Sequence, residues 1–214
     1  MSSIFTVQGI LSPPLEVNAY VICHLESRKA AAVDPGFASD AILQFCRDNE
    51  WELESLILTH GHIDHTHDVA RLKREAGVPV ICHAEVVPYL QSADVSGATW
   101  LQMDLEECEA DRLVKDGEKL AVGDGEIEII HTPGHTPGCI CLLGDDFCIT
   151  GDLLFRDGVG RWDFPGGNQK TLIQSLKKLR ERCCPEVTVY PGHGPATTLK
   201  RELEENPYLV EWLK

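Results

Sequence analysis

The stretch Leu58-Thr59-His60-Gly61-His62-Ile63-Asp64-His65 places four potential metal ligands within six residues. It follows the apolar segment Leu53–Leu58, which is typical of a buried strand. Alternate side chains of an extended chain share one side, so His60 and His62 can chelate a single ion. The stretch therefore predicts a metal-binding loop at the end of a strand, in preference to a chance histidine-rich surface loop.

The residues that follow this loop predict a second group of ligands. Thr66–Ala76 has a helical pattern, and a turn into that helix would bring Asp64 and His65 toward a second ion. Imidazole and carboxylate are the ligands that a borderline cation such as Zn²⁺ accepts. The loop thus has the chemistry for more than one cation, although it supplies too few ligands alone.

Further ligand candidates lie in three distant turns, each of which contains glycine and follows a predicted strand. Glycine permits the backbone conformations and close approaches that aim a neighbouring side chain inward. The candidates are His131 and His135 in Ile130–Gly138, Asp152 in Thr150-Gly151-Asp152, and His193 in Tyr190–Pro195. Their occurrence together with the first loop is the strongest signal in the chain.

Short apolar runs alternate with helical patterns, which indicates a mixed α/β chain. Turn signals between Leu120 and Cys148 predict hairpins. Other predicted strands are Val17–Cys23, Lys29–Val33, Val78–Cys82 and Val187–Tyr190, and other predicted helices are Ser39–Asn49, Lys170–Arg182 and Thr198–Glu205. Without a linker or a low-complexity tract, residues 1–214 are expected to form one domain.

The composition limits the partners. A formal net charge of −15 argues against nucleic acid and anionic lipid, which both require a basic surface. The apolar runs are too short to span a bilayer, and the residues Met1–Ile4 do not resemble a secretory signal. Nine cysteines without a CxxC pair are most simply explained as buried free thiols in a reducing compartment. We expect a cytoplasmic protein with no membrane or nucleic-acid partner, and the sequence leaves its oligomeric state open.

These motifs, in this order, resemble those of the metallo-beta-lactamase superfamily. The wording of the later motifs, such as His-Thr-Pro-Gly-His-Thr-Pro-Gly from His131 and Pro-Gly-His-Gly-Pro from Pro191, is similar to the short, single-domain, glyoxalase II-like branch. The resemblance runs from about Asn18 to Pro207 and implies a four-layer αββα sandwich. Asp34 in Asp34-Pro35-Gly36 resembles the first family motif, a structural acid near the site.

The resemblance also implies a ligand set and a reaction. Two divalent ions are expected, zinc foremost, with iron and manganese also compatible. His60, His62 and His135 would hold one ion, Asp64, His65 and His193 the other, and Asp152 would bridge them. A hydroxide shared by two such ions can attack a thioester carbonyl, which the ions also polarise. Asp64 would orient that hydroxide, and the thiolate would leave without a dedicated general acid.

The expected substrate is a small S-acyl-glutathione of the S-lactoylglutathione type. Arg161 matches a basic glutathione-contacting position, but Asp163 stands where larger relatives carry a tyrosine, so Arg161 is equally compatible with a solvated surface charge. The remaining histidines, His24, His67, His83 and His131, are expected to pack or cap without binding metal.

The same motifs leave other functions open. The stretch Gly160-Arg161-Trp162-Asp163-Phe164 resembles persulfide dioxygenases, which hold one iron through positions matching His60, His135 and Asp152. A site of two histidines and one carboxylate suits Fe(II) and dioxygen. Against this, Pro191–Pro195 is similar to the hydrolase version of the last motif. Lactone or phosphodiester hydrolysis and a non-catalytic metal scaffold are further alternatives.

Overall fold

Two six-stranded sheets form the centre of the molecule in the computed structural model, which describes residues 3–214. The first sheet has the order β1-β2-β3-β4-β5-β6, antiparallel from β1 to β3 and parallel from β3 to β6. Its strands are β1 (Phe5–Ser12), β2 (Val17–His24), β3 (Lys29–Val33), β4 (Glu52–Ile57), β5 (Val80–His83) and β6 (Arg112–Val114).

The second sheet has the order β14-β13-β10-β9-β8-β7, in which only the β10–β13 pair is parallel. Its strands are β7 (Lys119–Val122), β8 (Gly125–His131), β9 (Ile140–Leu143), β10 (Phe147–Gly151), β13 (Thr188–Pro191) and β14 (Thr197–Thr198). A small hairpin, β11 (Leu154–Phe155) with β12 (Gly158–Val159), follows β10. The hairpins predicted between Leu120 and Cys148 are thereby confirmed.

Helices cover the outer face of each sheet. Against the first sheet lie α1 (Ser39–Asp48), α2 (Ile63–Thr66), α3 (Val69–Ala76), a 3₁₀ turn (Ala84–Val86) and α4 (Val87–Leu90). Two further helices follow, of which α5 (Ala93–Ser96) packs against α4 and α6 (Ala98–Leu101) packs against α5. Against the second lie α7 (Gln169–Arg182), α8 (Leu199–Glu205) and α9 (Pro207–Trp212). Among residues 3–214, no helix combines the length and apolar composition needed to cross a bilayer.

Three apolar clusters explain why these layers stack. Alternate residues of β2 point to opposite faces, so Ile22 packs between the sheets while Val21 packs against the helices of the first sheet. On the far side of the second sheet, Leu172 and Leu176 of α7 pack against Cys148 of β10. The predicted four-layer αββα sandwich is confirmed.

The predicted helix Thr66–Ala76 is wrong in detail, because the chain forms two helices there. α2 begins earlier, at Ile63, and the helical pattern is interrupted at His67 and Asp68. The backbone N–H of Asp68 donates to the carbonyl of Gly36, and its carboxylate accepts from Ser39. These tertiary bonds replace the helical one, so the break follows from contacts with a distant turn.

The other predicted elements agree with the structure to within two residues at each end. Strand β1 and the helices between Ala84 and Leu101 were not predicted, since neither segment has a clear apolar period. Met1 and Ser2 lie outside the described residues, so the absence of a secretory signal and the single-domain organisation over 1–214 stay predictions.

Candidate metal centre

The predicted ligands meet where strands of both sheets end. β4 leads into the loop of His60 and His62, and α2 carries Asp64 and His65. The β8–β9 connection carries His135, Asp152 directly follows β10, and His193 lies two residues after β13. Because the two sheets face each other, these segments converge at one edge of the sandwich.

A first group of candidate ligands consists of His60, His62 and His135, each of which places one ring nitrogen within 4.8 Å of those of the other two. The His135 Nε2 atom is 2.9 Å from the His62 Nδ1 atom. On its other side, His135 Nδ1 donates to the Arg161 carbonyl oxygen at 2.8 Å. That bond orients the imidazole so that Nε2 faces the group, as a supporting contact of a metal ligand should.

A second group consists of Asp64, His65 and His193, whose ligand atoms also lie within 4.8 Å of one another. The His193 Nε2 atom is 3.4 Å from the Asp64 Oδ2 atom. His65 is fully buried, while His193 and Asp64 are partly exposed. One side of this second group is therefore open to solvent.

The carboxylate of Asp152 lies between the groups. Its Oδ1 atom is 3.4 Å from His65 Nε2, which belongs to the second group. Its Oδ2 atom is 3.5 Å from His135 Nε2, which belongs to the first, and 3.7 Å from His193 Nε2. One residue therefore reaches both groups, as the sequence-based ligand set requires.

Asp34 accepts hydrogen bonds from residues of the cluster and of its supporting loop. Its Oδ1 atom accepts from the Thr59 backbone N–H at 2.7 Å, and its Oδ2 atom accepts from the Thr59 hydroxyl and from His65 Nδ1 at 3.0 Å. Its ligand atom also lies within 4.8 Å of His60 and His65. Because both oxygens are already engaged, Asp34 acts as a hydrogen-bonding support for His65 and not as a ligand.

Burial sets the protonation of the first group. Desolvation, followed by the neighbouring His65, lowers the pKa of His60 well below its ordinary value. Desolvation and the adjacent His135 lower the pKa of His62 to about 4. Both imidazoles are therefore neutral near pH 7, which is the form that binds metal.

Carboxylates set the protonation of the second group. Burial alone would lower the pKa of His65, but Asp152 and Asp64 outweigh it and raise that pKa well above its ordinary value. Burial alone would raise the pKa of Asp152, but His65 outweighs it and holds that pKa well below its ordinary value. A cation binding here would displace the proton of His65, so metal uptake releases a proton.

The cluster fits a pair of divalent cations. Buried polar atoms in folded proteins nearly always have hydrogen-bond partners. Three buried atoms of this cluster have none among the described residues, namely His60 Nε2, His65 Nε2 and Asp152 Oδ1. All three belong to the ligand set, and imidazole with carboxylate is a donor set that zinc, iron and manganese accept.

A cavity of about 430 Å³ opens from the cluster. His62, Asp64, His135, Asp152 and His193 form its polar base. The rest of the lining includes residues that sequence reasoning missed, because nothing in their spacing distinguishes them from ordinary apolar positions. These are Leu15, Val95, Trp100, Leu101 and Phe155. Phe164, which belongs to the stretch that resembles persulfide dioxygenases, also lines the cavity.

Arg161 also lines this cavity, at its exposed rim. Its guanidinium donates from Nε and Nη2 to the two carboxylate oxygens of Asp163, each at 2.9 Å. The guanidinium carbon is 4.0 Å from the centroid of the Phe164 ring. The structure thus gives Arg161 both a position near the site and a neighbouring counter-charge.

The remaining histidines lie outside the two ligand groups. The His83 and His131 rings are stacked, with centroids 4.0 Å apart, and His131 Nε2 is 2.9 Å from the Pro137 carbonyl oxygen. His67 is stacked on Phe37 at 4.2 Å. His24 Nδ1 is 2.8 Å from the hydroxyl of Ser27. Each has a packing or hydrogen-bonding contact, and their absence from the ligand set stays a prediction.

An αββα sandwich with imidazoles and carboxylates grouped at one edge defines the class of metalloenzymes that place divalent cations at that edge. The chain belongs to the metallo-beta-lactamase superfamily, whose family model matches residues 12–193. Membership supports an enzyme with a metal site, and the predicted family is confirmed.

Relatives of different activity are similar to this chain. The hydroxyacylglutathione hydrolase GloC of Haemophilus influenzae is 33% identical over 188 residues, covering 86% of this chain and 89% of the relative. The crystal structure of BLEG-1 B3 metallo-beta-lactamase has a TM-score of 0.90 and 28% identity, covering 96% of this chain and 100% of that one. The crystal structure of ETHE1 from Myxococcus xanthus has a TM-score of 0.80 and 26% identity, covering 96% and 84%.

Proposed function

We propose that the protein is a binuclear metal-dependent thioesterase that acts on S-acyl-glutathione substrates of the S-lactoylglutathione type. The observation that carries this proposal is the presence of two groups of three ligands with Asp152 between them. Two divalent cations held there, zinc foremost, would supply a hydroxide nucleophile near neutral pH and polarise the thioester carbonyl. The likeness to GloC supports the choice of substrate.

The chain's own residues position the reactants. Asp64 lines the cavity, and its carboxylate can accept a hydrogen bond from the attacking water and orient it toward the acyl carbon. The new bond joins the water oxygen to that carbon, the carbon–sulfur bond breaks, and the released proton goes to the thiolate or to solvent. A thiolate is a good leaving group, so the products form without a protonated side chain beside the sulfur.

Arg161 is the proposed contact for a carboxylate of the thiol portion. Its place at the cavity rim supports this role. The ion pair with Asp163 opposes it, because a substrate carboxylate must compete with a bidentate partner that is already in place. We therefore expect weaker binding of glutathione here than at an unpaired arginine.

We also propose that the substrate is a small molecule and that the enzyme is cytoplasmic. The net charge of −15 supports a small-molecule substrate over nucleic acid. Eight of the nine cysteines are buried and all nine are free, which supports the cytoplasm, where thiols stay reduced.

A mono-iron persulfide dioxygenase is the second candidate, favoured by the likeness to ETHE1 and by the stretch Gly160–Phe164. Such a centre needs His60, His135 and Asp152 alone. The grouping of Asp64, His65 and His193 next to them favours the two-metal hydrolase, because a single iron would leave that group unused.

Metal quantification combined with two assays separates the candidates. The hydrolase is supported by two metal ions per chain and thioester cleavage of S-lactoylglutathione, followed as loss of the thioester absorbance. One iron per chain with oxygen uptake on glutathione persulfide, and no thioester cleavage, would replace it with the dioxygenase.

A further inference from the structure

The cavity above the metal centre has an apolar side that the thioesterase proposal does not explain. Nine large apolar side chains are exposed among the described residues, and Val95, Trp100 and Leu101 are three of them. Of these three, Trp100 has the largest exposed fraction, 62%. We call these three residues with Phe164 the apolar wall. A concave apolar surface beside a few polar groups is the usual form of a ligand site.

Short helices hold the wall in place. The Ser92 hydroxyl accepts from the Val95 backbone N–H and so caps α5. Gly97 follows with φ +85°, a left-handed conformation that turns the chain directly into α6. Ser96 and Ala98 on either side of that turn are buried. The buried turn anchors the segment while its apolar side chains face the cavity.

The apolar surface continues from the cavity mouth to the metal ligands. The Trp100 and Phe164 ring centroids are 5.9 Å apart, and the Phe164 and His62 centroids are 5.8 Å apart. Across the cavity, the Phe155 ring is 6.1 Å from that of His193. A substrate whose carbonyl lies at the metals would therefore extend its acyl chain along aromatic and aliphatic carbon.

The charges of the cavity also favour an apolar acyl group. Arg161 is the sole lysine or arginine among the described residues that line it, and Asp163 already pairs with that guanidinium. Asp94 adds a negative charge at the rim.

We infer that, among S-acyl-glutathiones, the enzyme prefers acyl groups larger and more apolar than lactoyl, either a medium-length alkyl chain or an aryl group, which bind against the apolar wall. This inference rests on the proposed thioesterase function and specifies its substrate class. Each methylene that leaves water for such a surface contributes a factor of up to about fourfold to affinity or to kcat/KM.

The first test is a series of glutathione thioesters on the protein loaded with two metal ions. The acyl groups are acetyl, lactoyl, butanoyl, hexanoyl, octanoyl and phenylacetyl. We expect kcat/KM to rise at least tenfold from acetyl to octanoyl and to be higher for octanoyl than for lactoyl. Equal or falling values along the alkyl series would overturn the inference while leaving the thioesterase in place.

Variants connect the chain-length effect to the wall. Trp100→Ala and Leu101→Ala should each reduce kcat/KM for octanoyl thioester at least fivefold more than for acetyl thioester. Trp100→Phe should restore most of the loss. Leu113→Ala is the matched control, because Leu113 is 53% exposed on β6 and is not among the residues that line the cavity. An equal effect of Trp100→Ala on all acyl groups contradicts the assignment.

Binding measurements test the apolar wall independently of turnover. S-octylglutathione and S-methylglutathione are thioethers that the enzyme cannot cleave, and their dissociation constants can be measured by calorimetry. We expect the octyl compound to bind at least tenfold more tightly, and Trp100→Ala to remove that difference. If no thioester is cleaved, the thioesterase proposal fails, and this comparison still supports or overturns the apolar site.

Discussion

At the residue scale, Asp152 connects the two ligand groups, because each of its oxygens faces an imidazole of a different group. With both proposed cations bound, removing this carboxylate would delete a contact common to them and leave more positive charge than the other ligands balance.

Asp152→Ala should therefore bind far less than two metal ions per chain and lose nearly all activity. Metal content by mass spectrometry, with thioester turnover, measures both effects. His67→Ala is the control, because His67 is stacked on Phe37 outside both groups and its loss should leave both ions bound. Near-normal turnover in Asp152→Ala would refute the bridging role, and a lost ion in His67→Ala would show that the ligand set is incomplete.

A second prediction at the residue scale concerns Asp34, which determines which ring nitrogen of His65 carries the hydrogen. Its carboxylate oxygen requires His65 Nδ1 to carry the hydrogen, which leaves Nε2 free to bind metal. In Asp34→Asn, the amide can present an N–H group instead and so favour the opposite tautomer.

We expect Asp34→Asn to weaken metal binding by about 10- to 100-fold while the fold is retained. Competition against a chromophoric chelator measures the affinity, and circular dichroism checks the fold. Asp68→Asn is the matched control, since Asp68 is also buried but bonds to Ser39 and His67 instead of a ligand. Equal losses in both variants would indicate a general stability effect.

At the scale of elements, close packing between connections aims the ligands. The connection after β12 passes so near to β10 that a Cβ atom on Gly160 would lie 1.7 Å from the Asp152 carbonyl oxygen and 3.3 Å from His135 Cβ. Glycine is required there for space, since any side chain would displace the segments that carry Asp152 and His135.

Gly160→Ala should consequently lower metal content and kcat by at least tenfold. Gly158→Ala, two residues earlier, is an internal control: its added Cβ would be 3.8 Å from the nearest atom, an ordinary contact. Full metal content in Gly160→Ala would mean that the connection can move aside without disturbing either ligand.

At the scale of the whole molecule, the candidate metal centre joins segments that follow strands of both sheets, so bound cations should contribute to global stability. The unpartnered atoms His60 Nε2, His65 Nε2 and Asp152 Oδ1 are buried, so without cations they forgo hydrogen bonds to water that the unfolded chain would make.

Chelation should lower the melting temperature by roughly 10 °C, since a ligand present at about a thousand times its dissociation constant stabilises by about 4 kcal/mol. Differential scanning calorimetry with and without chelator measures the shift. Asp152→Ala should show little further shift on chelation, because its metal is already lost. An unchanged melting temperature in the native protein would argue against cations held within the fold.

The sandwich was predictable because its strands are short apolar runs bounded by clear turns, as in Lys29–Val33, where prediction and structure coincide. Helix α3 was harder to delimit, since its start depends on the bond from Asp68 to the distant Gly36. Segments without an apolar period, such as α5 and α6, could not be assigned from local pattern.

The sequence by itself determined the family and the residue types that are available to bind metal. Chelation depends on donor atoms and on short spacings between them, and both can be read directly from the local sequence. The tertiary structure alone decided that Asp152 faces both groups, that Asp34 orients His65, and that Trp100 and Phe164 line one cavity with the ligands. Those relations join residues far apart in the chain, and only the packing of the two sheets brings them within contact.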